Sequence, residues 1–477
     1  MKIVNKFSGN LTPIVCFLLI LIFSQCTSKY NDAIEQVLDD VSSKQADDLA
    51  AVLEYYTSPS DSLKRKSAYF LVENFPEDKY QTIDKQLLIE NIELAFQVWK
   101  KPWAKQLTFD EFKELVLPFD LERDSTGTFW RKRFMGEYAF IEDSLKKYPN
   151  QNPAVVACTI IHHIFKKKYV VKLIQGQGIV ISLSEWDRKK QGDCAAMTYL
   201  TNHVMHAIGV PTAVEFTPQW ANDYASHYWN VVYVNHHYIS FMSGDAPPQS
   251  YKVEHYDDDI KTYARKRTKV FRLLYAFNPN SLAALSQRDI PAKFQDSHVI
   301  DVSKTSIPTQ HVTVKVPTSQ SDPFVYLSVF NRGKVGWVAV AWAENKDNQA
   351  FFTDVRPEVV YAPSSYQQDS IITFDYPFIL KKTGQKHILK PYLNSREVII
   401  CYKKYLWETT NWVKIGDTYQ LFFWDKNGWV SLGTQIATQQ NVVFKNVPKN
   451  ALLVLRDLTR GKQERIFTYE NNKQVFW

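Results

Sequence analysis

A cysteine at the start of a helical segment is the residue in this sequence best placed for chemistry. Cys194 follows Gly192-Asp193 and opens a segment with helical spacing, and His227 begins a later segment whose residues alternate as in a strand. A thiol becomes a nucleophile as the thiolate, which a helix N-terminus favours through its unpaired N–H groups and its dipole. An imidazole takes the thiol proton and returns it to a leaving amine, while the backbone N–H of Cys194 can face a developing oxyanion. These two residues are the parts that acyl transfer requires.

The surrounding sequence predicts a helix that leads into a β-hairpin. The helix is predicted over residues 194–208 and ends at Gly209, and Asn235-His236 is predicted as the hairpin turn. The predicted strands cover residues 212–216, 227–234 and 237–241. A helix followed by antiparallel strands is typical of an α+β domain.

Both residues also have a purely structural interpretation. A cysteine beside Ala195 and Ala196 at a helix start fits a small buried core residue. A histidine on a strand beside Trp229 fits a side chain that only packs. The combined order of cysteine, helix, Gly-Val-Pro, strand and His-Tyr-Trp-Asn favours the chemical interpretation.

Two stretches carry a resemblance to a known family. Residues 192–216 (GDCAAMTYLTNHVMHAIGVPTAVEF) and 227–241 (HYWNVVYVNHHYISF) resemble the core of the transglutaminase-like, papain-like cysteine superfamily. The resemblance implies Cys194 as the nucleophile and His227 as its base. Further segments resemble exported bacterial lipoproteins with this domain: FLVEN (70–74), FWRKRF (129–134), FTPQWAN (216–222), VYLSVFN (325–331) and RIFTYENNKQVFW (465–477).

The third member of the family's catalytic group is where the sequence departs from the pattern. The family usually places an aspartate on the second hairpin strand, four residues after an aromatic residue, and counting from Tyr238 that position is Met242. Asp245 lies beyond Gly244 and is the candidate to orient the imidazole. Loss of such a partner leaves the histidine tautomer unfixed and lowers the rate strongly.

Other residues near this pair have two interpretations each. Trp186, Trp220 and Trp229 are candidates to line a substrate cleft, or they fill the core. The basic runs at 166–168 and 265–267 are interpreted as solvated faces, with an anionic membrane surface as the alternative. Three histidine pairs, at 162–163, 203 and 206, and 236–237, lack a sulfur or acidic partner at metal-ligand spacing, so we expect no metal and no cofactor.

The first residues resemble a bacterial lipoprotein signal. Lys2 and Lys6 precede an apolar run at 14–23 that is too short to span a membrane, and the chain turns polar after Cys26. Cys26 is the expected lipidation residue, although Gln25 departs from the usual small residue before it. The alternative is an ordinary cleaved signal with a chance cysteine. We therefore expect an exported protein, lipid-anchored to the bacterial cell envelope, facing the periplasm or the surface.

The chain is too long for a single core, so a multidomain α+β fold is expected. A net charge of +7 over 477 residues is modest and does not favour nucleic acid as a partner. The predicted units are a signal peptide (1–25), a helical N-terminal region (26–128), a transglutaminase-like α+β core (129–298), a β-sandwich-like module (299–395) and a C-terminal β module (396–477).

Two functions follow from these features, and a third option is a structural or assembly role for the β modules with the middle domain as a spacer. The first is an enzyme that attacks amide bonds of peptides or peptidoglycan-derived substrates through a thioester, as a protease, amidase or acyltransferase. The second is a catalytically inactive surface protein that binds glycan or peptide through its β modules. The aromatic residues that such binding would use are Trp337, Trp342, Trp424 and Trp429, which also fit a sandwich core.

Overall fold

The structure, a computed structural model, describes residues 30–75, 83–118, 128–171, 183–254, 256–257, 262–263, 265–334, 336–402, 413–426 and 428–477. The expected signal peptide and Cys26 lie outside the described residues. Among the described helices, none combines the length and the apolar character needed to cross a membrane.

The helices lie mainly in the first half of the chain. They are α1 (Asp32–Asp40), α2 (Ser43–Leu53), α3 (Ser62–Glu73), α4 (Lys85–Trp99), α5 (Phe109–Leu115), α6 (Trp130–Glu137), α7 (Ile141–Ser144), α8 (Pro153–Lys168), α9 (Leu183–Lys189), α10 (Cys194–Ile208), α11 (Leu282–Leu285) and α12 (Ser303–Ser306). A capping box opens α5, because the side chains of Thr108 and Glu111 each accept from the backbone N–H of the other.

The strands begin beside α10 and dominate the second half. They are β1 (Val170–Val171), β2 (Gln191–Gly192), β3 (Thr212–Thr217), β4 (His227–Val234), β5 (His237–Phe241), β6 (Tyr256–Asp257), β7 (Thr262–Tyr263), β8 (Phe271–Leu273), β9 (Val299–Asp301), β10 (Gln310–Lys315), β11 (Phe324–Asn331), β12 (Gly336–Lys346), β13 (Gln349–Val355), β14 (Val359–Gln367), β15 (Ser370–Thr373), β16 (Phe378–Leu380), β17 (Lys386–Ile388), β18 (Tyr392–Cys401), β19 (Thr418–Asp425), β20 (Gly428–Ile436), β21 (Val442–Lys449), β22 (Leu453–Asp457), β23 (Lys462–Glu470) and β24 (Lys473–Phe476).

The helical region and the α+β core share one hydrophobic core. Ile34 in α1, Val204 in α10 and Val232 in β4 all belong to the same buried cluster. The core sheet has the order β5-β4-β3-β8-β9, and all its pairings are antiparallel. Helix α10 packs on β3 and β4. The sheet therefore holds β4 against the helix that begins at Cys194.

A buried arginine fixes the far end of α10. Arg131 in α6 is fully buried and donates to the side-chain oxygen of Asn91 and to the backbone oxygen of His206, both at 2.6 Å. It also donates to the backbone oxygens of Val116, Leu117 and Pro118. Burial lowers the pKa of Arg131 to about 9. The oxygens that surround the guanidinium join α4, the end of α5 and the last turn of α10.

The first β module differs from the predicted sandwich. Its strands form one sheet in the order β10-β13-β12-β11-β14-β16-β17, with β15 paired to β14. Val312 in β10 and Phe378 in β16 share one core although they lie toward opposite ends of this order. The sheet therefore curls around a single core into a nearly closed barrel. Strand periodicity alone predicts inward-facing residues and does not distinguish one curled sheet from two flat ones.

The C-terminal β module has two sheets. Strands β18 and β21 form one, and β20-β19-β22-β23-β24 form the other. Ile399 in β18 and Leu421 in β19 share a core, as a sandwich requires. The expected boundary near residue 395 lies inside β18. Asn394 and Ser395, which suggested a break, fit in this strand because its first half is largely exposed.

The two β modules share a third core, rich in tryptophan. The ring of Trp424 lies 5.4 Å from that of Trp337 and 5.1 Å from that of Trp429, and both contacts are edge-on. Trp337 and Trp424 are less than a tenth exposed. Phe330 of the first module also contacts Trp429. These tryptophans join the modules to each other.

Candidate active site

Cys194 is the first residue of α10, as predicted. The Asp193 carboxylate caps the helix by accepting the backbone N–H of Ala196 at 2.9 Å. A parallel pairing of β2 with β1 places Gly192 next to Val171. A Cβ added to Gly192 would lie 2.5 Å from the Cβ of Ala196, so the absence of a side chain there allows the chain to enter the helix.

The environment of the Cys194 thiol does not favour the thiolate in the resting protein. Burial raises the pKa of the thiol, and the backbone N–H groups of Tyr228 and Ala195 oppose that effect without reversing it, while the Asp193 carboxylate adds to it. The N–H groups at the helix start favour the thiolate, as expected, but removal of the sulfur from water outweighs them, so the net shift of this pKa is upward.

His227 is the first residue of β4 and lies among aromatic rings. Its ring is near-parallel to Trp220, with centroids 5.4 Å apart, and to Trp229, with centroids 5.9 Å apart. Its Nε2 lies 2.7 Å from the hydroxyl oxygen of Tyr251. Among the described residues, no hydrogen bond joins the His227 ring to the sulfur of Cys194.

Two arginines lie over the tryptophan rings that flank the histidine. The guanidinium of Arg265 lies 5.8 Å from the Trp220 ring centroid, and that of Arg267 lies 5.6 Å from the Trp229 centroid. Burial lowers the pKa of His227 to about 4, and the charges of Arg265 and Arg267 act in the same direction. The imidazole is therefore neutral at pH 7.

Lys266 and Arg267 of the basic run, which was expected on a solvated face, are largely buried, whereas Arg265 keeps 38% of its side chain exposed. Arg265 is paired with Asp223, and Arg267 with Glu254, at 2.9 and 3.1 Å. Lys266 is 8% exposed and donates to the backbone oxygen of Glu358 at 3.0 Å. Buried carboxylate and carbonyl partners replace water around these cations, and sequence spacing gives no sign of such partners.

Asp245, the candidate third residue, makes no hydrogen bond to the imidazole among the described residues. It is exposed in the turn after Met242, where its backbone N–H bonds to the Met242 oxygen at 3.1 Å. Met242 is buried, and its sulfur lies 3.8 Å from the Tyr251 hydroxyl. The structure thus brings Tyr251, rather than Asp245, to the outer nitrogen of His227. Sequence reasoning missed Tyr251, since no family position or spacing marks it.

The three candidate cleft tryptophans are all buried. Trp220 and Trp229 pack against His227, and the indole N–H of Trp229 donates to Glu215 at 3.2 Å. Trp186 in α9 is 8% exposed and stacks on Tyr199 of α10. In this structure they support the histidine and the helix.

Residues 219–225, which we call the anchor loop, precede His227 and are held by the core and by both β modules. Asp223 bonds to Arg265 of the core and to Arg332 of the first β module, at 2.9 and 3.1 Å. Asn331 donates to the side-chain oxygen of Gln219 and to the backbone oxygen of Tyr224. The loop carries Trp220, so both β modules contribute to the position of the ring beside His227.

No cluster of metal-ligating side chains is present among the described residues. His206 instead bonds through Nε2 to the backbone oxygen of Thr212 at 3.0 Å. Burial lowers its pKa to about 3, so this imidazole remains neutral in the folded protein. His203 bonds in turn to the backbone oxygen of Tyr199.

Comparisons with known proteins give little further information. No protein-family model and no curated protein matches the sequence. Among solved structures, the chain is similar to the crystal structure of red sea bream transglutaminase, with 9% sequence identity and a TM-score of 0.22. The match covers 69% of this chain and 72% of that one. A TM-score this low carries no argument, so function is inferred from the geometry of the site.

Proposed function

We propose that Cys194 and His227 are the nucleophile and general base of a transglutaminase-like site that transfers an acyl group from an amide. The observation that carries the proposal is the packing of α10, which begins at Cys194, on β4, which begins at His227; the Asn230 side chain of β4 donates to the backbone oxygen of Thr198 in α10 at 2.9 Å. The backbone N–H of Tyr228, which directly follows His227 on β4, also lowers the pKa of Cys194. The helix-start cysteine and the antiparallel strands also agree with the family resemblance of these residues.

The pKa shifts support a neutral resting pair. The pKa of Cys194 is raised by burial and that of His227 is lowered to about 4, so thiol and imidazole are both uncharged at pH 7. Proton transfer then accompanies attack on the substrate, as general-base catalysis requires, and no thiolate–imidazolium pair is formed beforehand.

The reaction takes place in two halves. The lone pair of an imidazole nitrogen takes the thiol proton while the sulfur forms a bond to the amide carbon, and the C–N bond then breaks as the amine leaves with that proton. A thioester on Cys194 remains. Water or a second amine, deprotonated by His227, attacks the thioester carbon, the S–C bond breaks, and the proton returns to the sulfur. Water gives hydrolysis, and an amine gives acyl transfer.

The substrate class and the location are part of the proposal. We propose an amide in a peptide or in a peptidoglycan-derived fragment as substrate. We also propose attachment to the bacterial envelope through lipid at Cys26, supported by the basic residues and short apolar run that precede it and by the polar sequence that follows it. A chain held at the envelope would meet cell-wall peptides.

A second candidate is a binding protein that keeps this fold without catalysis. It is favoured by a cavity of about 650 Å³ between the core and the first β module. Trp342 and Phe351 lie in its wall, and Phe351 is 58% exposed. Glu344 and Asn280 add polar groups to the same wall. Of the four tryptophans considered for binding, Trp342 alone lines this cavity, since the other three join the β modules.

Turnover with matched variants distinguishes the two candidates. Purified protein is incubated with peptidoglycan fragments or with amidated peptides, with and without a primary amine, and the products are identified by mass spectrometry. We expect products with the wild type and with Cys401→Ala, whose thiol is buried in the C-terminal module, and none with Cys194→Ala. Equal product from wild type and Cys194→Ala, or none from either, rejects the enzyme. Glycan binding that survives Cys194→Ala and is lost in Trp342→Ala supports the binding protein.

The anchor is tested separately in cells. Metabolic labelling with an alkyne fatty acid should label the wild type and place it in the membrane fraction. Cys26→Ser should lose the label, whereas Cys16→Ser, inside the apolar run, should keep it. Label retained in Cys26→Ser contradicts the anchor.

A further inference from the structure

The hydrogen bonds around Tyr251 form a short chain from the histidine to a sulfur. The His227 Nε2 lies 2.7 Å from the Tyr251 hydroxyl oxygen, and that hydroxyl donates to the Met242 sulfur at 3.8 Å. A phenol has a single proton to donate, and a thioether sulfur can only accept. When the Tyr251 hydroxyl donates its proton to Met242, the phenol oxygen must accept the hydrogen bond from His227. The ring proton of the imidazole must then lie on Nε2.

The alternative arrangement satisfies fewer groups. If Tyr251 donated to Nε2, the Met242 sulfur would lose its donor, and the imidazole proton would move to Nδ1. A proton on Nδ1 would then have no acceptor among the described residues, and a buried N–H without a partner is costly. The first arrangement makes two hydrogen bonds and the second makes one, although a thioether is the weaker acceptor.

Resting on the proposed function, we infer that Tyr251 and Met242 together are positioning residues that hold His227 in the Nε2-protonated tautomer. This tautomer leaves the lone pair on Nδ1, the nitrogen with no protein hydrogen bond among the described residues, available to accept the Cys194 proton. Met242, which occupies the position where the family has its aspartate, thus acts through Tyr251.

A tyrosine differs from a carboxylate in one important respect. Burial raises the pKa of Tyr251, so the hydroxyl stays neutral and fixes the ring without supplying a negative charge. The charged groups that act on His227 are Arg265 and Arg267, and both disfavour protonation of the imidazole. The site therefore orients the base and keeps it uncharged until the substrate is attacked.

Two variants separate the hydroxyl from the sulfur. Tyr251→Phe removes only the oxygen, and Met242→Leu replaces the acceptor by a side chain of similar volume. Tyr233→Phe is the control, because its hydroxyl on the same hairpin contacts Glu111 and His236, away from His227.

The readout is the tautomer of His227 at pH 7, measured by NMR on full-length protein with ¹⁵N-labelled histidine and assigned by difference with His227→Gln. We expect the Nε2-protonated form in the wild type and in Tyr233→Phe. Tyr251→Phe should give a mixture, and Met242→Leu should shift the proton toward Nδ1, because the hydroxyl then turns to Nε2. The Nδ1-protonated form in the wild type, or an unchanged tautomer in Tyr251→Phe, overturns the inference.

Turnover provides a second and separate readout. If the enzyme is active, Tyr251→Phe should lower kcat by about tenfold or more, with a smaller effect on KM. An unchanged kcat overturns the positioning role even if the tautomer shifts. If the wild type is inactive but shows the Nε2-protonated form, the proposed function fails, whereas the orientation of His227 by Tyr251 stands.

Discussion

The Nε of Arg465 donates to the backbone oxygen of Asn222 at 2.6 Å, across the interface between the C-terminal module and the anchor loop. Arg465 is 2% exposed, and Asn222 is 4% exposed. The same loop carries the Trp220 ring beside His227. The C-terminal module thus takes part in positioning the candidate base.

We expect Arg465→Met to lower turnover and to lower the free energy of unfolding by about 1–3 kcal/mol, because a buried carbonyl loses its donor. Arg456→Met is the control in the same module, since its guanidinium lies over the Phe422 ring, away from the anchor loop. Urea unfolding and a turnover assay measure the two effects. Equal activity of both variants would show that the loop holds Trp220 without the C-terminal module.

Gly192 and Gly136 should respond to alanine with opposite signs. A Cβ at position 192 would meet the Ala196 Cβ at 2.5 Å, so Gly192→Ala should displace the start of α10 and lower both stability and turnover. No atom lies within 4 Å of a Cβ at Gly136 in α6, so Gly136→Ala should stabilise the fold by roughly 0.5–1 kcal/mol. Thermal unfolding compares them, and a neutral Gly192→Ala would contradict the tight approach.

The pH dependence of turnover should reflect the two arginines near His227. The imidazole must be neutral to act as a base, so kcat/KM should fall below a pH of about 4 and reach a plateau above it. A nearby positive charge disfavours the imidazolium, so Arg265→Gln should raise the pKa of His227 and move the acid limb to higher pH. Arg332 also contacts Asp223 but does not act on the pKa of His227, so Arg332→Gln should leave the acid limb in place. A limb near pH 6.5 in the wild type would contradict burial of the imidazole.

Arg131 should be among the most sensitive residues for stability. Arg131→Lys keeps the charge, but one ammonium cannot reach the five oxygens around the guanidinium, so buried oxygens lose their donors. We expect a loss of about 3 kcal/mol or more in the free energy of unfolding. Lys132→Ala, next in the chain and 66% exposed, should change it by less than about 0.5 kcal/mol. Urea unfolding that ranks the two variants equally would rule out this role.

Local sequence signals predicted the elements that carry the candidate pair. Helix α10 begins and ends as expected, because Asp193 caps it and Gly209 takes the left-handed conformation at its end, with a φ of 84°. The β4–β5 hairpin is also confirmed, since Asn235 and His236 both adopt positive φ values in its turn. These features depend on neighbours in the chain.

The features that the sequence did not predict depend on residues far apart in it. Tyr251 meets His227 through the fold of the segment after β5, and Arg465 meets Asn222 through docking of the last module. The pKa of Cys194 depends on how much water the assembled domains exclude. No periodicity or spacing encodes these quantities, so the candidate pair could be located from the sequence while its electrostatic setting could not.

The tryptophan cluster between the β modules has a consequence for how such a chain can change over generations. Trp337 comes from one module, and Trp424 and Trp429 from the other, so each module completes the core of its neighbour. A recombination event that exchanged one module for an unrelated one would leave half of this aromatic surface facing solvent, which promotes aggregation. The two modules should therefore be inherited as a pair, with paired substitutions where their aromatic residues meet.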